Sequence, residues 1–445
     1  MKKLLLFSIF LSISVITIFA EEIELSKYQA DEGEFSVEPI IIDGIDEEEE
    51  IVIPQPKEKR PRAFSLRKGL SVSATAANSA IHIPDFFKET LVVDLTKIAK
   101  QSTHRGFEVG AFADVTDYTT MTFFDAHSVT FSISANMYAW QNIPKNVLDF
   151  LGKGNKGISE ISGHINGRAE AYAEASLLYK MKKQNYGIYI KGNYFCPIFF
   201  QNGSMAKYAL KTDQKTGKIT ISTDVDASIY TPLPIFNNEE KIKPWPLAKN
   251  ILKNGGFDVT VGGEYIPTDW ATVNFAVTHL PIVPTFLDKG MNFKFHFDAE
   301  VDNFLNNLEK ETKEYIKYHS EQADPVYSLP KKRVMRTCKL WAGADFRPLK
   351  NNYLILSTSI GLPIVNAKPY YADFKLKLES KFAKVLGAYL SLSYLDRIWQ
   401  NEICFYLDSR WAVFSLAVSL ASNSFARNFY SVSGAGVKLG LALGF

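Results

Sequence analysis

The chain has 445 residues, of which 46% are apolar and 13% are aromatic, and its formal net charge is +2. This composition is typical of a globular or membrane-embedded protein and excludes a chain that is disordered throughout. The near-neutral charge, without a clustered basic face or a recognisable reader motif, gives no reason to expect a nucleic-acid partner.

The first twenty residues have the layout of an export signal. Lys2 and Lys3 precede an apolar run over residues 4–19, and the small residue Ala20 follows it. This is the order of a charged region, a hydrophobic region and a cleavage site. Because the run is short for a membrane-spanning helix, we expect a signal peptide over 1–20 that is removed. No cysteine follows the cleavage site, which argues against a lipid anchor.

Residues 21–68 form two charge blocks, acidic over 21–50 and basic and proline-broken over 54–68. Opposite charge blocks with few residues of the buried type predict a disordered leader that faces the periplasm. Residues 50–54 also resemble the energy-coupling box of a TonB-dependent receptor. A 22-stranded barrel with a plug needs many more residues than this chain has, so we interpret this stretch as a solvated linker.

From residue 106 onward, apolar and polar residues alternate over repeated segments of about 9 to 11 residues, the length that a tilted strand needs to cross a bilayer. After Ala20 no apolar run is long enough for a membrane-spanning helix, so an integral membrane protein of this sequence must be a closed barrel. The predicted strands are 107–115, 129–138, 170–181, 186–195, 219–229, 257–265, 271–279, 291–299, 335–346, 353–361, 371–380, 385–395, 402–409, 411–421 and 435–445.

The strand count contains an error that the sequence itself exposes. Single-chain bacterial barrels have an even number of strands, so either one of the fifteen predictions is wrong or residues 70–75 supply a further strand. The tight connections 266–269 and 348–351 should lie on the same side of the membrane, yet three predicted strands separate them. We place the error between residues 280 and 335. The barrel is predicted to span 69–445, with 69–105 as a first strand or a plug-like segment.

Three segments interrupt the strand pattern. Residues 144–151 read as a short amphipathic helix that begins at a proline and ends before two glycines. Residues 301–317 carry an apolar stripe opposite a charged one, which predicts a longer helix on a rim or in a loop. Residues 86–99 are ambiguous between helix and strand.

The C-terminal strand carries a pattern of its own. Its apolar row ends in Leu443 and the terminal Phe445, and its polar or small row includes Lys438 and Gly440. These four residues resemble the insertion signal of bacterial outer-membrane barrels, which implies the barrel-assembly machinery as a partner.

Two further passages, 131–155 and 257–287, resemble a family of largely uncharacterised bacterial outer-membrane barrel proteins that is compared with the long-chain fatty-acid transporter type. The first is a strand that leads into a proline-started helix and a Gly-Asn stop. The second is a strand pair followed by a proline-punctuated turn. The resemblance implies a barrel with short helical insertions near its mouth or lumen, and no catalytic motif is carried over. Fatty-acid transporters have an N-terminal hatch, whereas this chain has an acidic leader.

Catalytic patterns are weak in this sequence. His296 and Asp298 share a strand face, and His164 lies near Ser162, but a barrel lumen is polar for reasons unrelated to catalysis. HExxH, Walker and dinucleotide-binding motifs are missing from the sequence, and no histidines have metal-ligand spacing. We therefore expect no enzyme activity, catalytic residue, metal or cofactor. Three cysteines without CxxC spacing are expected to be ordinary strand residues: Cys196, Cys338 and Cys404.

The polar rows of the predicted strands should face the lumen, because barrels alternate lipid-facing and lumen-facing residues. Their charges are of mixed sign, which favours a hydrated or partly plugged interior without a clear ion preference. The predicted lumen-facing residues are Asn292, Lys294, His296, Asp298, Lys375, Lys377, Glu379, Tyr406 and Asp408.

The sequence therefore predicts an all-β protein, a transmembrane antiparallel β-barrel of about 14 to 16 strands with short helical insertions in loops or lumen. We expect it in the bacterial outer membrane, in contact with lipid, where it mediates passive passage of a small solute, either hydrophobic or polar. The alternative is a non-conducting barrel that acts as a surface adhesin or structural anchor through its loops at 302–333 and 423–433. An outer-membrane hydrolase that uses His296 or His164 is a third reading.

Overall fold

In the computed structural model, the described residues all lie in one compact unit, Arg62–Phe445. The predicted signal peptide, 1–20, lies outside the described residues, as does the predicted leader up to residue 62. The structure describes residues 63–82, 95–102, 104–153, 159–213, 215–232, 249, 253–302, 316–349, 353–366, 371–382, 385–395, 397–409, 411–430 and 433–445.

Strands make up most of the described chain, as the repeated two-residue period predicts. The helices for which the structure gives a first and a last residue are α1 (Leu95–Gln101), α2 (Lys145–Lys153) and α3 (Arg427–Tyr430). The strands are β1 (Phe64–Asn78), β2 (Phe107–Phe123), β3 (His127–Ile143), β4 (Glu160–Lys182), β5 (Tyr186–Thr212), β6 (Ile219–Thr231), β7 (Gly256–Thr268), β8 (Ala271–Val283), β9 (Thr285–Val301), β10 (Ile316–Gln322), β11 (Val326–Val334), β12 (Cys338–Phe346), β13 (Leu354–Val365), β14 (Asp373–Lys381), β15 (Leu386–Leu395), β16 (Ile398–Asp408), β17 (Ala412–Ser422) and β18 (Gly434–Gly444).

Antiparallel pairing closes most of these strands into a ring. The order around it is β1, β2, β3, β4, β5, β7, β8 and then β12 to β18. β18 returns to β1, in register from Arg67↔Gly444 to Ala77↔Gly434. Of the eighteen strands in the described part of the chain, all but β6, β9, β10 and β11 belong to this ring, which leaves fourteen. The predicted fold class, an antiparallel barrel of about 14 to 16 strands, is confirmed.

The other four strands pair edge to edge in a sheet outside the ring, which we call the extension. β4 and β5 have 23 and 27 residues, longer than their ring partners. The second half of β5 leaves β7 and pairs with β6. β6 then pairs along its whole length with β9, which in turn pairs with β10 and β11. The ring wall therefore continues on one side into a sheet.

The two ends of the ring differ in their connections. At one end, the turn end, β2–β3, β4–β5 and β7–β8 are joined by two or three residues, and both β1 begins and β18 finishes there. At the other end, the loop end, lie α1, α2, α3 and the extension. The connection at 266–269 and the described part of 348–351, residues 348 and 349, both lie at the turn end, as predicted.

The expected miscount between residues 280 and 335 is also located. Residues 291–299 belong to β9, which is a strand but stands outside the ring, together with β10 and β11. The predicted helix over 301–317 is wrong at both of its ends, since Val301 ends β9 and Ile316 begins β10. These residues pair directly as Ile316↔Val301, because pairing with a neighbouring strand overrides a helical period. Residues 303–315 lie outside the described residues.

The helices at the loop end pack on each other. Lys145 of α2 donates from Nζ to the Ala99 carbonyl of α1 at 2.8 Å, and Ile98, Ala99 and Leu148 bury one apolar cluster between them. The predicted helix at 144–151 is confirmed as α2, and part of the ambiguous segment 86–99 is helical as α1. Within the described ranges, no helix has both the length and the apolar character to cross a bilayer.

Candidate functional site

The outer face of the ring is apolar over its whole circumference. On β17 and β18, Leu416, Val418, Leu439 and Leu441 are all more than 40% exposed, and the same row pattern recurs on β14, β15 and β16. A contiguous exposed apolar surface of this extent marks contact with lipid or another apolar partner. Aromatic rings border it at the turn end, among them Phe64, Phe123, Phe445, Trp270 and Phe346.

The inner face is identified by bonds between strands that are not neighbours in the ring. Gln400 of β16 donates to the Thr75 hydroxyl of β1 at 2.7 Å, although β17 and β18 separate these strands. Arg397 of the β15–β16 connection reaches Glu108 of β2 at 2.9 Å. Such contacts are possible only inside the ring.

Five of the predicted lumen-facing residues lie on β14 and β16, on the face opposite to the exposed leucines. Lys377 pairs with Glu379 at 2.6 Å, and the Tyr406 hydroxyl donates to the same carboxylate at 2.7 Å. Lys375 and Asp408 share this face. The structure thus brings Lys377, Glu379 and Tyr406 into one hydrogen-bonded group.

The other four predicted lumen residues lie on β9, in the extension rather than in the ring. Asn292 donates to Asp226 of β6 at 2.7 Å, and Lys294 faces the same carboxylate at 3.8 Å. His296 lies 2.6 Å from both Asp224 and Asp298. All four residues, including Asp298, therefore lie on one polar face of the β6–β9 pair.

The opposite face of the extension is apolar. The rings of Phe293, Phe295 and Phe297 stack along β9 with centroids 6.5 and 6.4 Å apart. Because directly paired residues share a face and Phe295 pairs with Val225, these rings lie on the face of β6 that carries Ile221. Ile221 packs against a buried apolar cluster that contains Phe150 of α2, and Val147 of the same helix packs against it as well. The extension thus presents an apolar face to the helices at the loop end.

Five ionisable side chains inside the ring form what we call the charge cluster: Glu174, Lys191, Asp258, His279 and Arg336. Asp258, His279 and Arg336 lie toward the loop ends of β7, β8 and β12, whereas Glu174 and Lys191 lie nearer the turn ends of the longer strands β4 and β5. Arg336 donates from Nε to Asp258 at 2.7 Å and from Nη1 to Glu174. Lys191 donates to Glu174 at 2.7 Å, and His279 Nδ1 lies 3.2 Å from Asp258. Three of these residues are nearly inaccessible to solvent, Asp258 at 1%, Glu174 at 6% and Arg336 at 8%.

A second group, the arginine sandwich, lies at the loop ends of β2, β3 and β16. The Arg397 guanidinium lies between the rings of Trp140 and Tyr371, at 3.8 and 3.9 Å from their centroids. Its charge is balanced by the buried Glu108. Arg397 has a φ of 75°, a left-handed conformation that the tight β15–β16 connection requires and that these contacts hold in place.

A cavity of about 470 Å³ lies nearer the turn end, on the inner face. Its walls come from six consecutive ring strands, β5, β7, β8, β12, β13 and β14. The charged and aromatic side chains that line it include Tyr189, Glu264, Trp341, Asp345, Lys375 and Lys377.

Two of these side chains lie flat against the wall because the neighbouring strand carries a glycine. Trp341 pairs with Gly361, and a β-carbon on that glycine would lie 2.7 Å from Cε2 of the indole. Tyr189 pairs with Gly262 in the same way, with its ring against the position of the missing side chain. The glycines allow the rings to lie along the wall, which leaves the cavity open.

The four insertion-signal residues lie on both faces of β18 and just beyond its end. Lys438 and Gly440 point inward, whereas Leu443 and Phe445 are exposed on the outer face. Phe445 exchanges two backbone hydrogen bonds with Leu66 at 3.0 and 3.2 Å, so the last residue is still paired with β1.

The catalytic pairs that the sequence suggests do not assemble a fuller site. His164 Nδ1 lies 3.1 Å from Ser204 rather than from Ser162, and His296 is held between two carboxylates on the extension. In the part of the chain that the structure describes, no group of His, Cys, Asp or Glu side chains is placed to hold a metal ion. The three cysteines lie in strands, buried and free.

No known protein-family model matches the chain, and no curated protein sequence matches it significantly. Solved structures that it resembles include the Ralstonia pickettii toluene transporter TbuX (TM-score 0.41, 9% identity, covering 86% of this chain and 89% of that one). A Pseudomonas aeruginosa FadL homologue has a TM-score of 0.37 and 9% identity, covering 86% of this chain and 90% of that one. The Pseudomonas putida toluene transporter TodX has a TM-score of 0.37 and 8% identity, covering 86% of this chain and 89% of that one. At these scores the resemblance adds nothing to the fold assignment, which rests on the strand pairing.

Proposed function

We propose that this protein is an integral outer-membrane β-barrel that mediates passive passage of a small solute across the outer membrane. The observation that supports this most directly is a closed fourteen-membered ring of strands with an exposed apolar outer face and a cavity on its inner face. Closure leaves no backbone group unpaired in hydrocarbon, and the cavity offers room for a solute.

The interior favours selective passage over a wide aqueous pore. The charge cluster and the arginine sandwich occupy the lumen toward the loop end, and the cavity lies toward the turn end. Bulky side chains bonded across the ring narrow the path, so a solute has to fit between or displace them. The apolar face of the extension adds a surface beside this end on which a solute with an apolar part can adsorb.

The outer face of the ring and strand β18 indicate which membrane components the protein contacts. The outward rows of leucine, valine and phenylalanine suit contact with outer-membrane lipid, and the bordering aromatic rings suit the lipid–water interface. We infer that β18, with Lys438, Gly440, Leu443 and Phe445, is the strand that the barrel-assembly machinery recognises.

The test is flux into vesicles that contain the refolded full-length protein. Glucose, glycine and benzenesulfonate cross lipid slowly, and the last of them combines a ring with a charge. We expect at least one of the three to enter several-fold faster than into protein-free vesicles, with only small steady conductance in a planar bilayer. Vesicles that received heat-denatured protein are the control.

A folded, inserted barrel that accelerates none of these solutes would overturn the transport proposal. It would favour the non-conducting alternative, for which the extension provides an exposed surface, including Tyr318 of β10 at 73% exposure. Heat-modifiable gel mobility of the same preparation establishes that the barrel is folded.

A further inference from the structure

Lys375 is the one cavity-lining cation of the described chain without a close partner. Its ammonium group makes no ion pair or hydrogen bond with any residue that the structure describes, whereas Lys377, two residues along the same face, is bound to Glu379. At longer range Lys375 is attracted by Glu402 and repelled by Lys377 and Lys438. An unpaired ammonium group on the wall of a cavity favours an anion.

The carboxylates that line the cavity are occupied by other groups. Glu264 is paired with Lys180 at 3.1 Å, and Asp345 accepts a long hydrogen bond of 3.4 Å from Asn274. Neither carboxylate lies within 4 Å of Lys375. The positive charge of Lys375 is therefore available to a ligand.

The walls next to Lys375 supply both polar and planar contacts. Ser359 is its direct cross-strand neighbour on β13, and Ser357 lies two residues away on the same inner face. Trp341 and Tyr189 present ring faces, because each lies flat over a glycine of the next strand. A volume of about 470 Å³ is in the range of pockets for small organic ligands.

From this combination we infer that the cavity is a binding site for a small planar organic carboxylate. Its carboxylate accepts hydrogen bonds from the Lys375 ammonium and the serine hydroxyls, and its flat apolar body lies against Trp341 and Tyr189. A charged hydrogen bond to the head group and stacking of the body are both needed, since neither alone fills the site. As an assignment of the solute, the inference rests on the proposed transport function; as a binding site, it is tested independently.

The experiment is equilibrium binding to the folded full-length protein in detergent, with benzoate, acetate and toluene as three probes. Benzoate has both the ring and the carboxylate, acetate lacks the ring, and toluene lacks the charge. We expect saturable benzoate binding to one site, with acetate and toluene each about tenfold weaker or more, since a charge-assisted contact is worth roughly 1.5–3 kcal/mol.

Variants separate the two contacts. Lys375→Met should weaken benzoate binding about tenfold and leave toluene unchanged, whereas Trp341→Leu should weaken both ring-bearing probes. Lys381→Met is the matched control, because Lys381 is on the same strand and face but does not line the cavity. It should leave all three affinities within about twofold.

Equal losses for Lys375→Met and Lys381→Met would mean that only the general charge of the lumen matters, which overturns the site. Unchanged benzoate binding in Lys375→Met, or no saturable binding in the native protein, overturns it as well. Saturable benzoate binding with the expected variant pattern but without solute flux into vesicles leaves the site standing and removes the transport proposal. Flux without benzoate binding does the reverse.

Discussion

Arg336 neutralises two buried carboxylates that would otherwise repel each other. Glu174 and Asp258 belong to different strands, and both are bonded to the same guanidinium group, which also lies 4.8 Å from the ring centroid of Phe195. Transfer of two carboxylates into such an enclosed position is costly unless a cation and hydrogen bonds compensate for it. Removal of Arg336 should therefore lower the stability of the folded protein more than removal of either Glu174 or Asp258.

Replacing the guanidinium tests this dependence. Arg336→Met keeps a long apolar stem but leaves Glu174 and Asp258 without their common cation, and we expect the free energy of unfolding to fall by about 3–5 kcal/mol. The measurement is urea unfolding in lipid vesicles or micelles. As the control, Lys68→Met removes the exposed ion pair with Asp117, whose side chains are 67% and 49% accessible, and should cost less than about 1 kcal/mol. Similar losses in the two variants would contradict the special role of the cluster.

A sequence pattern predicts the position of some site residues in the fold and not of others. Lys377, Glu379 and Tyr406 lie in rows with a period of two, and alternation alone assigns them to the face opposite the leucines. Arg336 lies in the connection between β11 and β12, outside any row. Its partners Glu174 and Asp258 are 162 and 78 positions away, so no local pattern points to the pair. The cavity is missed for the same reason, since its walls come from six strands.

At the scale of elements, the sequence predicts which segments are strands better than it predicts their partners. β9 alternates as cleanly as any strand of the ring, but Pro284 alone separates it from β8. Strand pairing is interrupted nearby by register shifts between β7 and β8 and by the positive φ of 55° at His279. The chain bends there and β9 pairs with β6. A period of two specifies the faces of a strand, whereas bulges and neighbours decide its place in a sheet.

Two adjacent positions of β17 test the assignment of faces. Leu416 is exposed on the outer row, and Ser415 is on the inner row. An arginine on the lipid face near the middle of a barrel strand costs about 2–4 kcal/mol, whereas an arginine facing a hydrated lumen costs much less. We therefore expect Leu416→Arg to lower the folded fraction in lipid vesicles strongly and Ser415→Arg to lower it weakly, as measured by heat-modifiable gel mobility. The reverse order would mean that the two faces are exchanged.

For the whole molecule, the closed ring explains why the strand count from sequence is close and still inexact. Closure removes every edge from the ring, so each ring strand has two neighbours. The predicted strands 219–229 and 291–299 are instead β6 and β9, which pair with each other in the extension. Counting alternating segments includes both kinds of strand. Only the pairing of β1 with both β2 and β18 shows which strands close the ring.

The unequal ends of the ring imply a direction in the membrane. Bacterial outer-membrane barrels have short turns on the periplasmic side and long connections outside, so the extension should face the medium. His319 of β10 and Gln184 of the β4–β5 turn are both exposed, and the three native cysteines are buried. We expect a membrane-impermeant thiol reagent to label His319→Cys on intact cells and Gln184→Cys only after the outer membrane is permeabilised. Labelling of Gln184→Cys but not of His319→Cys on intact cells would mean that the barrel lies in the opposite direction, since Gln184 is at the turn end of the ring and His319 is in the extension at the loop end.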